Sequence, residues 1–175
     1  IISILHESSF PTRLYPIQCG GPVPSSLYTS SNGKRYDLRV ETYGGATWLT
    51  EYGLVLGIST YYFGEARSFI GYTMQGRVHD SLPLPLHKDG YRSVALYPSP
   101  KSFVNTGPFY KSIGFDEVLD YYDLDASSEH ERDRFYCGKA LDVIRRHLAT
   151  GGTAPLFIDL WTMATHAPYD YTIFP

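Results

Sequence analysis

Cysteine is scarce in this sequence: Cys19 and Cys137 stand far apart with no Cys-x-x-Cys spacing. Neither a disulfide framework nor a zinc ribbon is supported, and the redox compartment stays undefined. A basic excess is lacking too, since 15 Lys and Arg stand against 18 Asp and Glu for a formal charge of −3, and the basic residues are scattered. That argues against binding along a phosphate backbone, so no nucleic-acid partner is expected. No apolar run approaches the roughly 18 residues of a membrane span, and no charged n-region with an apolar h-region opens the chain. The sequence as given reads as soluble. It begins inside an apolar strand without an initiator Met and closes on Tyr171-Thr172-Ile173-Phe174-Pro175 with no polar tail. The expectation is a piece of a longer protein.

What is present suits one domain over residues 1–175, because a 43% hydrophobic share can build a real core. The 16 tyrosines fit half-buried positions with the hydroxyl at the rim. Short apolar runs alternate with helical patterns, the signature of an α/β sheet covered on both faces. Ile1 to Leu5, Leu38 to Thr42, Ser93 to Tyr97 and Leu156 to Trp161 read as buried strands, with Phe115 to Leu119 a weaker fifth. Helices are expected from Thr47 to Leu56, from the Ser81-Leu82-Pro83 entry, and in part from Phe103 to Ile113, where Gly107-Pro108 interrupts. The clearest helix spans Glu129 to Ala149, with Cys137, Ala140, Leu141, Ile144 and Leu148 on its buried stripe. Ser128 and Glu131 read as its capping box and Gly151-Gly152 as its end. Cys137 is expected to be a small buried hydrophobe. Pro11 to Gly33 reads as a long connection and Tyr61 to Asp80 as a second irregular region.

Chemistry concentrates in two clusters. Ile1-Ile2-Ser3-Ile4-Leu5-His6-Glu7-Ser8 runs an apolar strand into a carboxylate, and Gly44-Gly45-Ala46-Thr47-Trp48-Leu49-Thr50-Glu51-Tyr52 starts a helix with a threonine in its first turn. A hydroxyl at a helix N-terminus sits where unpaired N–H groups and the dipole favour a phosphoryl group. Glu7 is costly to bury alone, so it either reaches solvent or binds a cation, a metal-ligand role that suits such a nucleophile. The competing reading of Thr47 is a plain N-cap, and Thr50, one turn on and on the same face, is the fallback nucleophile. Glu51 reads as a ligand for backbone or a neighbouring side chain. His166, where a strand gives way to a Pro-containing loop, could donate to a phosphate oxygen or protonate a leaving alkoxide, or simply cap the loop. His6 faces away from Glu7 and reads as structural. Lys101 reads as a solvated loop lysine.

Together with Leu156-Phe157-Ile158-Asp159-Leu160-Trp161-Thr162-Met163-Ala164-Thr165-His166-Ala167-Pro168-Tyr169, these clusters resemble the sulfatase-like domains of the alkaline phosphatase superfamily. The nearest branch is that of the lipoteichoic acid synthases and phosphoglycerol transferases. The resemblance rests on a strand ending in Glu-Ser, a Gly-x-Thr-x-x-x-Glu-aromatic turn into a helix, and a strand ending in Thr-x-x-His-x-Pro-Tyr. It covers nearly the whole chain, with Ser81-Leu82-Pro83, Gly90-Tyr91-Arg92-Ser93 and Gly114-Phe115 in the same pattern. It implies an alkaline phosphatase-like three-layer sandwich, a mostly parallel central sheet with helices on both faces, incomplete at its C-terminus.

By that resemblance Glu7 is a metal ligand, Thr47 the nucleophile and also a metal ligand, and His166 a substrate-binding histidine. The family's other metal ligands are an Asp-His pair near the end of the domain, and no such dipeptide follows His166. Where the lipoteichoic acid enzymes hold glycerol phosphate with His, Trp and Arg, this sequence has Tyr97, Val104 and Thr106. The signature that sulfatases convert to formylglycine is absent. The implied function is a metal-dependent phosphotransferase that uses Mn, Mg or Zn. It would move a phosphorylated headgroup from a phospholipid donor through Thr47 to a glycan or other acceptor. The alternatives are a phosphate, phosphonate or sulfate ester hydrolase, or a non-catalytic binding domain. The parent protein is expected on the extracytoplasmic face of a bacterial cytoplasmic membrane, anchored by segments outside this chain.

Overall fold

The computed structural model describes residues 1–7, 32–34, 36, 38–42 and 45–167. Its strands are β1 (Ile2–His6), β2 (Arg92–Leu96), β3 (Glu117–Leu119) and β4 (Leu156–Thr162). Its α-helices are α1 (Thr47–Leu56), α2 (Ile70–Thr73), α3 (Pro83–Lys88), α4 (Thr106–Ser112) and α5 (Asp133–Ala149), with 3-10 turns over Thr60–Phe69 and Phe103–Asn105. The strands pair in the order β1-β4-β2-β3, and every pairing is parallel. Parallel neighbours need long crossovers, so helices fall on both faces.

Side-chain alternation then divides the core in two. Val94, Leu96, Ile158 and Leu160 point to one face and bury Tyr136, Ala140 and Val143 of α5. Ala95, Phe157 and Val118 point to the other, against Tyr52 and Val55 of α1, Ile70 of α2 and Phe109 of α4. This is the three-layer α/β sandwich. Burying each large apolar side chain contributes roughly 1.5–3 kcal/mol, and ring packing adds to it: Tyr52 and Phe109 centroids lie 4.8 Å apart and Tyr110 stacks on Phe115 at 5.0 Å. Among the described residues no helix is long and apolar enough to cross a membrane.

Several local expectations change. Leu38 to Thr42 forms no strand, and Leu38 and Val40 are 79% and 50% exposed; an apolar run without a paired neighbour has no ladder to join. β1 forms as expected but lies at the sheet edge, leaving Ile2 and Ile4 largely exposed. Helix α5 starts at Asp133, and its buried stripe is Tyr136, Ala140 and Val143, which puts Cys137, Leu141 and Leu148 outside it, all exposed. The capping box is replaced by Ser127, whose N–H and hydroxyl both donate to Glu131, while Ser128 accepts from the His130 N–H. Gly107-Pro108 does not interrupt α4, because Pro108 falls in its first turn, where a missing N–H costs nothing. The break comes just before, at Val104 and Asn105, which take φ of 43° and 61°. For a β-branched residue that is strain of about 1–3 kcal/mol. Asn105 Nδ2 donates to the Gly71 carbonyl at 2.7 Å, and any Cβ at Gly71 would meet the Val104 oxygen at 2.1 Å. The Tyr61 to Asp80 stretch contains 3-10 structure and α2. Pro11 to Gly33 lies, except for its last two residues, outside the described residues.

Candidate active site

β1 and β4 pair through His6 and Thr162, so Glu7 and the residues after Thr162 leave the sheet at the same carboxyl edge. In α/β sheets that edge is where ligands bind. The chain enters α1 through Gly45 (φ 133°) and left-handed Ala46 (φ 58°), a route glycine makes easy and alanine pays for. Ala46 is the N-cap and α1 has no side-chain cap. Thr47 is therefore not a plain cap. Its hydroxyl turns away and donates to Glu7 Oε1 at 2.7 Å.

Glu7 is only 6% exposed, and burial of a carboxylate requires partners. Besides Thr47, it receives the Trp161 indole N–H on Oε2 at 3.2 Å, and His166 Nε2 lies 3.5 Å from Oε1. Thr165 donates its hydroxyl to the Glu7 carbonyl, and a turn from Met163 to His166 closes the loop beyond β4. Glu7 and Thr47 thus converge as the sequence suggested, and His166 lies beside them. A cavity of about 380 Å³ opens over them, walled also by Trp48, Tyr97, Phe103, Trp161 and Met163.

The other singled-out residues are elsewhere. Thr50 pairs with the Thr42 hydroxyl at 2.7 Å and borders a different cavity, so it is not on the Thr47 face. His6 binds Asp133 at 2.7 Å and pins the start of α5 to β1; that hydrogen bond raises its pKa against the lowering effect of burial. Lys101 pairs with Asp123, not with the cavity. Thr106 is fully buried and meets the Tyr52 hydroxyl at 3.0 Å, and the Val104 carbonyl accepts from that hydroxyl at 3.4 Å. Of the three positions marked as departures, only Tyr97 borders the cavity. Glu51 is 2% exposed, with neither oxygen hydrogen-bonded in normal geometry, and it faces Asp159 rather than a backbone group.

Sequence reasoning missed Ser99, Glu129, His130 and Trp161, all in the cavity wall. Glu129 and His130 were hidden because the helical pattern was carried back through them; α5 starts at Asp133 and leaves both in a loop. Ser99 donates to Glu129 Oε2 at 2.7 Å, and the His130 ring lies 5.6 Å from that of His166. Trp161 was legible from parity, since it shares a sheet face with Glu7.

Glu7 and Thr47 offer adjacent oxygen donors suited to a hard divalent cation. Among the described residues no group of three or more His, Cys, Asp or Glu could hold a metal. The chain therefore presents part of a donor set.

The sequence profile of the family described as Sulfatase matches residues 39–173. A Haemophilus influenzae protein described only as uncharacterized is 29% identical over 184 residues, covering 97% of this chain and 33% of that protein. The chain spans about a third of that relative's length. The crystal structure of the lipoteichoic acid synthase LtaP from Listeria monocytogenes superposes with a TM-score of 0.60 at 21% identity, over 75% of this chain and 31% of that one. A Vibrio parahaemolyticus protein of the alkaline phosphatase superfamily gives a TM-score of 0.48 at 19% identity, over 59% of this chain and 26% of that one. The likeness to LtaP is one of fold.

Proposed function

Because the chain belongs to the sulfatase family, we propose that it is the nucleophile-bearing part of a metal-dependent phosphotransferase acting on a phospholipid donor. The observation that supports this reading best is the 2.7 Å hydrogen bond from Thr47 to Glu7 at the mouth of a cavity. Glu7 orients the hydroxyl, and Trp161 and Thr165 fix Glu7 in turn. A divalent cation (Mn, Mg or Zn) held by the Glu7 carboxylate and Thr47 hydroxyl would supply Lewis acidity, lowering the proton affinity of the hydroxyl and offsetting phosphate charge.

Thr47 Oγ1 attacks phosphorus, its O–H proton passes to Glu7 Oε1, which already accepts from it, and the bond from phosphorus to the diacylglycerol oxygen breaks. His166, at the cavity edge, protonates that departing oxygen. In the second half, the oxygen of an acceptor hydroxyl attacks the phosphothreonine while its proton passes to His166; the bond from phosphorus to Thr47 Oγ1 breaks and Glu7 returns the proton to Thr47. A glycan acceptor gives a transferase and water gives a hydrolase. The parent protein then works on the extracytoplasmic face of the bacterial cytoplasmic membrane, tethered by segments outside this chain. The test is diacylglycerol release by the full-length protein from vesicles of phosphatidylglycerol and phosphatidylethanolamine with manganese present. Metal-dependent release supports the reading; no release from either lipid contradicts it.

A further inference from the structure

Phe103 is the part of the cavity wall whose placement the chain's own backbone preferences do not explain. Ser102 before it and Thr106 after it have right-handed helical backbone, so an unstrained chain would continue α4 back through both as one helix. Instead Val104 and Asn105 turn left-handed, at φ 43° and 61°. Asn accepts that region readily, whereas a β-branched residue resists it. The two reversed residues separate Phe103 from α4 and leave its ring, 46% exposed, on the border of the cavity. Backbone set against its preference persists only where surrounding contacts over-determine it, and such places collect at functional sites.

The contacts are specific. Asn105 Nδ2 donates to the carbonyl of buried Gly71 at 2.7 Å and to Gln75 Oε1 at 2.9 Å. Val104 packs its side chain against the core formed by α1, α2 and α4, and its carbonyl accepts from the Tyr52 hydroxyl at 3.4 Å. That carbonyl also fills the space where a Cβ at residue 71 would stand, so α2 receives the turn only with glycine there. We infer that Asn105 is a positioning residue for the cavity: its side-chain amide, received by α2, holds the turn reversed and thereby keeps the Phe103 ring in the wall that a substrate meets. Without the amide the helical alternative competes, and only the fraction of molecules with Phe103 in place binds as the native protein does. Binding weakens while the chemistry is spared, because Thr47 is held by Glu7 and not by the turn. The inference rests on the transfer reading only for its lipid assay.

The two tryptophans of the chain, Trp48 and Trp161, both border the cavity, so tryptophan emission reports on its wall. The test is acrylamide quenching of that emission in this chain, excited where tyrosine does not absorb. Asn105→Asp removes both amide donors at nearly constant size, and Asn105→Gly removes them while leaving positive φ accessible. Both are expected to raise the quenching constant toward that of Phe103→Ala. Asn105→Gly should add nothing further in the Phe103→Ala background, the non-additivity of two residues that act through one ring. A single cooperative melt would show each variant folded, and Asn105→Gly, which strains no backbone, carries the test should Asn105→Asp fail to fold. Native quenching in Asn105→Gly, or an equal rise in both backgrounds, would overturn the proposal.

In the full-length protein, Asn105→Gly is expected to raise KM for the phospholipid by up to about tenfold, the population factor of one lost hydrogen bond, with kcat nearly unchanged. A merely destabilised protein would lose active molecules, and so kcat, at constant KM; that result would also overturn the proposal. Absence of diacylglycerol release by the native protein would refute the transfer reading alone, and the quenching cycle would still decide the role of Asn105.

Discussion

Glu51, on the helix that begins with Thr47, and Asp159, on the interior strand β4, bury their carboxyl groups against each other at 2% and 6% exposure. Burial, and then the charge of Asp159, push the Glu51 pKa well above its ordinary value; burial also raises that of Asp159, against the opposing influence of Glu51 and Ser3. Two like charges cannot both ionise cheaply in a desolvated site, so one proton stays with the pair.

A pH dependence of stability follows. Folding favours the protonated pair, so its contribution is full below the ordinary carboxylate range and is lost as pH rises through the raised folded values. Thermal melts from about pH 4 to about pH 8 should decline for the native sequence and decline less for Glu51→Gln. Identical declines in both would show that Glu51 is not the group responsible.

In the proposed reaction His166 serves the leaving group and is not needed to hold Glu7, since its Nε2 is 3.5 Å from Oε1 while Thr47 and Trp161 are closer. His166→Ala in the full-length protein should slow diacylglycerol release by about 10²–10⁴-fold, the range of a lost general acid. Metal affinity should persist. A variant that releases at the native rate would remove His166 from the chemistry.

Metal affinity itself is a third point. With Glu7 and Thr47 as adjacent donors and no larger ligand cluster among the described residues, an ion here stays mostly hydrated. Titration of this chain with manganese should show weak binding that Glu7→Gln weakens further. Tight stoichiometric binding, unaffected by Glu7→Gln, would place the metal elsewhere.

The sheet and the first half of the site were legible because they rest on local pattern. The boundaries of α1, Thr47 to Leu56, follow from a Gly-Gly entry and apolar spacing alone, and Glu7 follows from a carboxylate ending an apolar strand. What failed was decided by tertiary neighbours. Leu38 to Thr42 has the composition of a strand but pairs with none among the described residues. The stripe of α5 is set by which residues meet Val94 and Ile158, so Tyr136 and Val143 displaced Cys137 and Leu141. Glu129 and His130 became cavity residues only because α5 starts after them. Asp159 could not be paired with Glu51 from sequence, since the two meet only across the packing of α1 on β4.

The central claim is that Thr47 carries the transferred group. Its hydroxyl donates to Glu7 rather than capping α1, whereas Thr50 is engaged by Thr42. Thr47→Ala should therefore leave the fold intact, at a cost of about 0.5–1.5 kcal/mol for one hydrogen bond. The decisive measurement is the intact mass of the full-length protein after incubation with a phospholipid donor and manganese. Expected is a headgroup-phosphate adduct on the native sequence and on Thr50→Ala, with none on Thr47→Ala. An adduct that persists in Thr47→Ala and disappears in Thr50→Ala would contradict the assignment and move the nucleophile one helical turn along α1.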